Sequence, residues 1–125
     1  MDRNIFDHVL SYIEAHIQEK ITLPDLAAFA GYSPFYFSRL FSDMIGIPVT
    51  NYIQIRKLQH AMVSLLEGKK VLEVSLMYGF DSHEGFTRSF TQLFGSTPRT
   101  IRKRPVTYQV PAYVIPSTTE LNAFF

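Results

Sequence analysis

The sequence contains no cysteine, and this absence excludes two kinds of structure. Without thiols the chain can form neither a disulfide framework nor a thiolate metal site. It also has no apolar run near the ~20 residues that a membrane-spanning helix needs, and its first residues lack the layout of a signal peptide. We therefore expect a soluble cytoplasmic protein with no membrane partner.

The residue patterns of enzymes are also missing. The sequence has no phosphate-binding loop, no nucleophile elbow and no paired-acid motif. Its four histidines lie on separate predicted elements, without the i, i+4 pairing or the nearby carboxylate that a metal site requires. They are His8, His16, His60 and His83. The sequence thus predicts no enzymatic activity, no metal and no cofactor.

Net charge is only +1, which by itself gives little reason to expect a nucleic-acid partner. The 12 basic residues all lie within residues 1–104, and the segment RTIRKR at 99–104 has no acidic residue. Because salt screens charges beyond ~8 Å, such a cluster can bind phosphate even in a nearly neutral protein. An ordinary solvated helix end is the alternative interpretation.

Apolar residues are plentiful, at 46% of the chain with 11 Phe and 7 Tyr. Their spacing of three and four residues predicts a first helix at about 4–19. Thr22 begins a capping box and so a second helix, which Gly31 ends, and Ser33 caps a third. Two short helices joined by a glycine turn are typical of a helix-turn-helix unit, here at about 4–46.

A long helix is predicted at about 48–67, and then the layout repeats. Ser82 caps a further helix, and Pro98 begins a last short one through the basic cluster. The second helix-turn-helix unit occupies about 71–104. The predicted fold is all-α, with about seven helices in two helix-turn-helix subdomains joined by a long linker helix, in one domain over residues 1–104.

Two short passages indicate that this layout is a duplication. GYSPFYFSRLF at 31–41 and GFDSHEGFTRSF at 79–90 share a glycine, a serine, and an arginine flanked by aromatic residues. The glycines lie 48 residues apart (79 − 31), whereas Arg39 and Arg88 lie 49 apart. One residue inserted in the second turn, at about Asp81, accounts for the difference and leaves both helices intact.

Each residue turns a helix by ~100°, so the inward aromatic residues determine which side chains point outward. The outward positions are Phe35, Arg39 and Ser42 in the first unit and Glu84, Arg88 and Thr91 in the second. An outward arginine can donate two hydrogen bonds to one guanine, which discriminates between bases by ~1–3 kcal/mol. Serine-capped helix starts offer backbone N–H groups to phosphate oxygens.

The linker helix provides a geometric test of this interpretation. About 19 residues at ~1.5 Å each span ~28 Å. The width of the flanking elements brings the two outward helices near the ~34 Å repeat of duplex DNA. We therefore predict that both enter successive major grooves from a single chain.

Simpler interpretations exist for several of these residues. Glu84 and Arg88 are four residues apart and can form an ordinary surface ion pair. Phe35 can face a groove or pack against a neighbouring side chain. For the whole chain the alternative is a helical protein–protein interaction module without sequence-specific DNA binding, which accounts for the amphipathic helices but not for the duplicated arginines.

Over about residues 4–104 the sequence resembles the DNA-binding domain of the AraC/XylS family of bacterial transcription regulators. The resemblance rests on LAAFAGYSPFYFSRLFSDMIGIP, on YIQIRKLQHAMVSLLEG as linker helix, and on VSLMYGFDSHEGFTRSFTQLFGSTPRTIRK. It implies a bipartite, homeodomain-like domain that binds double-stranded DNA to activate or repress transcription. For an activator, RNA polymerase is a further expected partner.

The resemblance also assigns one recognition helix to each unit. The implied base-contacting residues are Phe35, Tyr36, Ser38 and Arg39 in the first unit and His83, Glu84, Thr87 and Arg88 in the second. Phosphate contacts are expected from the two capping serines and the basic cluster, namely Ser33, Ser82, Arg99, Arg102 and Lys103.

The second recognition helix departs from the family pattern at two positions. Gly85 stands where a side chain is common, which removes a contact and lowers helix stability by ~1 kcal/mol relative to alanine. Glu84, near the helix start, repels phosphate unless it accepts a hydrogen bond from cytosine. We therefore expect the second unit to bind DNA less strongly than the first.

Residues 105–125 differ in composition, with three prolines and no helical period. Val106, Tyr108 and Val110 alternate like a strand, which Pro111 shortens. We interpret the segment as a non-helical tail, either the start of a truncated effector-binding domain or an extension that pairs with another chain. The resemblance implies a small-molecule effector for such a missing domain.

Overall fold

The computed structural model describes residues 1–111, and every regular element within them is an α-helix. The elements of this part of the chain are α1 (Arg3–Ala15), α2 (Leu23–Ala30), α3 (Pro34–Ile45), α4 (Val49–Leu66), α5 (Val71–Met77), α6 (His83–Phe94) and α7 (Pro98–Lys103). The predicted all-α fold with about seven helices is confirmed.

Side-chain caps determine where the short helices begin. Thr22 Oγ1 accepts a hydrogen bond from the Asp25 N–H at 3.2 Å at the start of α2. Thr97 Oγ1 accepts one from the Thr100 N–H at 3.1 Å at the start of α7. Each bond satisfies one of the N–H groups that a helix start leaves without an internal partner. Local chemistry that is visible in the sequence therefore sets these boundaries.

The turn inside each helix-turn-helix unit is built in the same way. Gly31 has a φ of 84° and Gly79 a φ of 76°, a left-handed conformation that costs free energy for residues with a Cβ. In each turn the next residue's N–H donates to a carbonyl of the preceding helix, at 2.9 Å in the first unit and 3.0 Å in the second. The duplication seen in the sequence thus extends to backbone geometry.

The first helix is shorter than the apolar spacing predicts, because α1 ends at Ala15 rather than near residue 19. The His16 N–H divides its hydrogen bond between the carbonyls three and four residues back, at 3.3 and 3.1 Å, and the chain turns there. Ile17 is nevertheless buried, so the apolar period continues beyond the helix. His16 Nδ1 also lies 2.6 Å from Glu19 Oε2, a carboxylate contact that the spacing did not predict.

The chain divides inside α4 into two compact units, Met1–Arg56 and Lys57–Phe125, here called unit 1 and unit 2. In unit 1 the Phe41 ring packs against the rings of Phe6 and Tyr52, with centroids 5.8 and 5.4 Å apart. The other large buried side chains of this unit include Val9, Ile13, Leu26, Phe37 and Ile55. Burial of this apolar surface is the main stabilising contribution.

Unit 1 also buries a charged side chain. Arg56 is 1% exposed, and its Nε donates to Glu14 Oε2 of α1 at 2.9 Å. A second guanidinium nitrogen donates to the other oxygen of the same carboxylate. Two parallel hydrogen bonds offset much of the cost of removing the charge from water. The apolar spacing of α4 did not reveal this pair.

In unit 2, α6 packs against both α5 and α7. The buried apolar side chains of this unit are Leu58, Ala61, Met62, Leu65, Val74, Tyr78, Phe86, Phe90 and Ile101. The hydroxyls of Ser64 and Tyr78 lie 3.2 Å apart in a buried hydrogen bond. This bond satisfies a polar group that would otherwise be costly to bury.

The described part of the tail, 105–111, is non-helical as predicted, but the predicted strand is wrong. Val106, Tyr108 and Val110 lie in a segment without strand structure. A strand requires a neighbouring strand for its backbone hydrogen bonds, and residues 1–111 contain none. The Tyr108 ring instead packs edge-on against Phe94, at 5.6 Å. The expectation of a truncated domain falls largely on residues 112–125, outside the described residues.

Candidate nucleic-acid interface

Buried aromatic residues fix the orientation of α3 and α6. Phe37 and Phe41 of α3, and Phe86 and Phe90 of α6, are all 0% exposed. Within each pair the ring centroids lie 6.0 and 5.8 Å apart, respectively. Because these rings define the inward face, the residues two positions before and after Phe37 and Phe86 are turned away from the core.

The two helices begin with the same cap. Ser33 Oγ accepts a hydrogen bond from the Tyr36 N–H at 3.2 Å, and Ser82 Oγ accepts one from the Gly85 N–H at 2.9 Å. Both serines are exposed. Each cap uses one N–H of the first turn, so further N–H groups of that turn have no partner within the helix. The positive end of the helix dipole lies at the same place.

Arg39 and Arg88 occupy equivalent positions on these helices and are both exposed. Within residues 1–111 neither guanidinium makes a hydrogen bond or an ion pair. The surface pair between Glu84 and Arg88 that the spacing allows is therefore not formed among the described residues. Both arginines keep their full set of N–H donors for an external acceptor.

In unit 1 the exposed face of α3 is largely aromatic. Phe35 is 74% exposed and Tyr36 is 53% exposed. The Tyr36 ring lies edge-on to Tyr32 at 5.6 Å, whereas Phe35 has no ring partner among the described residues. Phe35 is therefore the most exposed of the large apolar side chains in the described residues. Ser38, also predicted here, is half-buried.

In unit 2 the exposed face of α6 is polar. His83, Glu84 and Arg88 are exposed. Thr87 is half-buried, and its Oγ1 is shielded from solvent without a hydrogen-bond partner in the described chain. Thr91 is half-buried as well, and its hydroxyl donates to the Thr87 carbonyl at 2.7 Å.

The basic cluster forms α7 and the residue after it. Arg99, Arg102, Lys103 and Arg104 are exposed. Arg102 Nη2 donates to the Gly68 carbonyl at 3.2 Å, so this side chain connects α7 to the end of α4. One member of the basic cluster thus contacts another element of unit 2, and all four of its basic residues remain exposed.

Residues 1–111 contain neither a cluster of metal ligands nor a membrane-spanning helix. Within residues 1–111, no group of three or more His, Asp or Glu side chains is arranged to hold a metal ion. None of the helices described is long and apolar enough to cross a membrane.

Known sequences support a single assignment. A family model described as a helix-turn-helix domain matches residues 26–104. The Transposon Tn10 TetD protein of Escherichia coli is 40% identical over 100 residues, which cover 79% of this chain and 72% of that protein. The Probable transcription factor PqrA of Proteus vulgaris is 35% identical over 106 residues, which cover 82% of this chain and 87% of that protein.

Some relatives are much longer than this chain. The Right origin-binding protein of Escherichia coli is 36% identical over 102 residues, which are 81% of this chain but only 35% of that protein. The chain thus spans about a third of the length of that relative.

Solved structures agree with the sequence relatives. A transcriptional regulator with an AraC-type DNA-binding domain, from Chromobacterium violaceum, matches with a TM-score of 0.75 and 27% identity over 83% of this chain and 96% of that one. The C-terminal domain of the response regulator yesN from Fusobacterium nucleatum matches with a TM-score of 0.73 and 26% identity, over 79% of this chain and 98% of that one. The resemblance drawn from the motifs is confirmed, and the chain belongs to the AraC-type family of helix-turn-helix DNA-binding transcription regulators.

Proposed function

We propose that this regulator reads a specific double-stranded sequence by placing α3 and α6 in adjacent major grooves of one duplex. The observation that carries the proposal is the pair Arg39 and Arg88. Both guanidinium groups are exposed at equivalent positions of duplicated helices, and neither has a partner within residues 1–111. A guanidinium can donate two hydrogen bonds to guanine O6 and N7, the commonest specific contact in the major groove.

Neighbouring side chains add to each recognition helix. Phe35 offers an apolar face to a thymine methyl group, and Tyr36 lies beside it on the same exposed surface. In unit 2, exposed Glu84 is assigned to accept a hydrogen bond from cytosine N4. The remaining proposed base-contacting residues are Ser38, His83 and Thr87.

Phosphate contacts hold the helices in register but carry no sequence information. We assign them to the exposed capping serines Ser33 and Ser82 and to the basic residues Arg99, Arg102 and Lys103. The linker helix supports contact with two grooves, because 18 residues give a length of about 27 Å. This length is comparable to the ~34 Å repeat of B-form DNA.

The proposal is tested by selecting bound sites from a pool of random duplexes. The wild-type chain is expected to select two sequence blocks about one helical turn apart. Arg39→Ala should relax base preference in one block and Arg88→Ala in the other, each costing ~1–3 kcal/mol for the preferred base. Arg3→Ala is the matched control, because Arg3 is an exposed arginine of α1 in a surface pair with Asp7.

Three outcomes would count against the proposal. If the pool yields no preferred sequence, sequence-specific binding is wrong. If either arginine variant keeps the wild-type preferences, that helix does not read bases through its arginine. Affinity that is insensitive to salt would favour the alternative of a protein–protein interaction module, since binding to phosphates releases counterions.

Further partners belong to the same proposal. If the regulator activates transcription, RNA polymerase is the expected protein partner. An effector-binding domain after residue 104 would add a small-molecule partner. We assign the protein to the cytoplasm as part of the same proposal, because its proposed partner is DNA.

A further inference from the structure

One glycine has no backbone role. Five of the six glycines have φ between 76° and 94°, a region where a Cβ is unfavourable. Gly85 is the exception, because it lies in the first turn of α6 with no positive φ. Glycine weakens a helix relative to other residues. Its presence on a DNA-facing helix therefore calls for another physical reason.

The equivalent position in unit 1 is filled by an aromatic ring. Tyr36 follows its capping serine by three residues, as Gly85 follows Ser82, and precedes Arg39 by three. Residues three apart are neighbours on a helix surface. The Tyr36 ring also contacts Tyr32 edge-on at 5.6 Å. A ring supported in this way occupies the surface on the N-terminal side of Arg39.

In unit 2 that surface is open, and Arg88 extends into it. A Cβ built on Gly85 would lie 4.0 Å from Arg88 Nη2, so the guanidinium reaches back over residue 85 toward the start of α6. Phe80, the counterpart of Tyr32, packs against buried Phe86 at 4.9 Å. Phe80 therefore does not cover the open surface beside Arg88.

We propose that Gly85 determines the breadth of base recognition by Arg88. The inference rests on the proposed function, because it concerns how α6 reads a base. With a glycine at 85, Arg88 has room for several staggered conformations and can reach more than one acceptor pattern. With a ring at 36, Arg39 has fewer conformations and its paired donors are better oriented for one base. The site read by unit 2 is thus more tolerant than the site read by unit 1.

The fold accepts a side chain at this position. A Cβ on Gly85 would lie 2.9 Å from Ser82 Oγ, so the capping hydroxyl must move slightly. Unit 1 shows the result, because its cap bond is 3.2 Å long with tyrosine in place, against 2.9 Å in unit 2. The gain in helix propensity opposes any loss from the weaker cap. Variants at Gly85 are therefore expected to fold.

The test measures Kd for four duplexes that differ only at the base read by Arg88, and for four that differ only at the base read by Arg39. The spread of Kd is the ratio of the highest to the lowest Kd within each set of four duplexes. For the wild type we expect a spread of less than about fivefold at the base read by Arg88 and of more than about tenfold at the base read by Arg39. Gly85→Tyr should widen the first spread to about tenfold or more. The reciprocal variant Tyr36→Gly should narrow the second spread to below about fivefold. Gly85→Ala adds only the Cβ, so its spread should stay within about twofold of wild type.

The outcomes separate this inference from the proposed function. If Arg88→Ala changes base preference but Gly85→Tyr leaves the spread unchanged, the inference is overturned and base reading by α6 stands. An equal effect of Gly85→Ala and Gly85→Tyr also overturns it, because the cause is then the backbone rather than the open surface. If Arg88→Ala changes no preference, base reading by α6 fails and the inference falls with it. Circular dichroism of each variant checks that helix content is unchanged. If Tyr36→Gly leaves the range of Kd at the base read by Arg39 unchanged, the inference is overturned without reference to the Gly85 variants.

Discussion

At the scale of residues, the period of the helix determines which side chains face outward, and the packing of helices determines which charged side chains meet. The outward placement of Arg39 and Arg88 could be predicted, because a buried aromatic two positions away on either side fixes the helix face. The pair formed by Glu14 and Arg56 could not, because its members lie 42 residues apart and meet only after α1 packs on α4. The shielded hydroxyl of Thr87 depends on packing in the same way.

The buried ion pair gives a prediction for stability. Glu14→Ala removes the carboxylate that accepts two hydrogen bonds from buried Arg56, which should lower the free energy of unfolding by about 3 kcal/mol, the low end of the usual range because Glu14 is partly exposed. Asp7→Ala is the control, since it breaks the exposed Arg3–Asp7 pair and should cost less than about 0.5 kcal/mol. Urea unfolding followed by circular dichroism measures both. Equal losses of unfolding free energy in the two variants would show that the buried pair stabilises the fold no more than the exposed pair does.

At the scale of elements, the capping residues predicted the helix boundaries more accurately than the spacing of apolar residues did. The starts of α2, α3, α6 and α7 follow from their Thr or Ser caps. The end of α1 was misplaced because Ile17 remains buried after the helix has ended. The strand expected around Tyr108 is absent from the described residues, because alternating apolar residues do not by themselves supply the neighbouring strand that a sheet requires.

Two substitutions at Ser82, the residue that caps α6, separate its effect on stability from its proposed contact with DNA phosphate. Ser82→Ala removes the acceptor of the Gly85 N–H and should cost about 1 kcal/mol of stability. Ser82→Asp keeps an acceptor, so stability should be retained, but its negative charge should weaken DNA binding by tenfold or so at low salt if a phosphate lies there. Thermal unfolding and a binding titration distinguish the two effects. Undiminished affinity in Ser82→Asp would remove Ser82 from the phosphate contacts.

At the scale of the whole molecule, the division inside α4 is the feature of most consequence for function. Each unit has its own core and its own recognition helix, so damage to one core need not unfold the other helix. Composition gave little guidance at this scale, since a net charge of +1 does not suggest a DNA-binding protein. The local distribution of charge and the duplicated motif were the useful signals.

The basic cluster predicts how binding responds to salt. Affinity for any duplex should fall steeply between ~50 and ~200 mM salt, and Lys103→Ala should reduce the slope of log K against log salt by about 1 without changing sequence preference. Lys20→Ala is the matched control, because Lys20 is an exposed lysine outside the proposed interface. Electrophoretic titrations at several salt concentrations provide the slopes. A change of base preference in Lys103→Ala would contradict its assignment to phosphate.

The most direct test of joint recognition by α3 and α6 is the spacing of the two selected blocks. Kd is measured on the selected duplex and on duplexes with ~5 base pairs inserted between the blocks, which turns them to opposite faces of the DNA. We predict that the insertion lowers affinity to that of a duplex carrying one block alone, because a single α4 cannot serve both faces. Equal affinity for the two duplexes would contradict the account and show that one unit binds without the other.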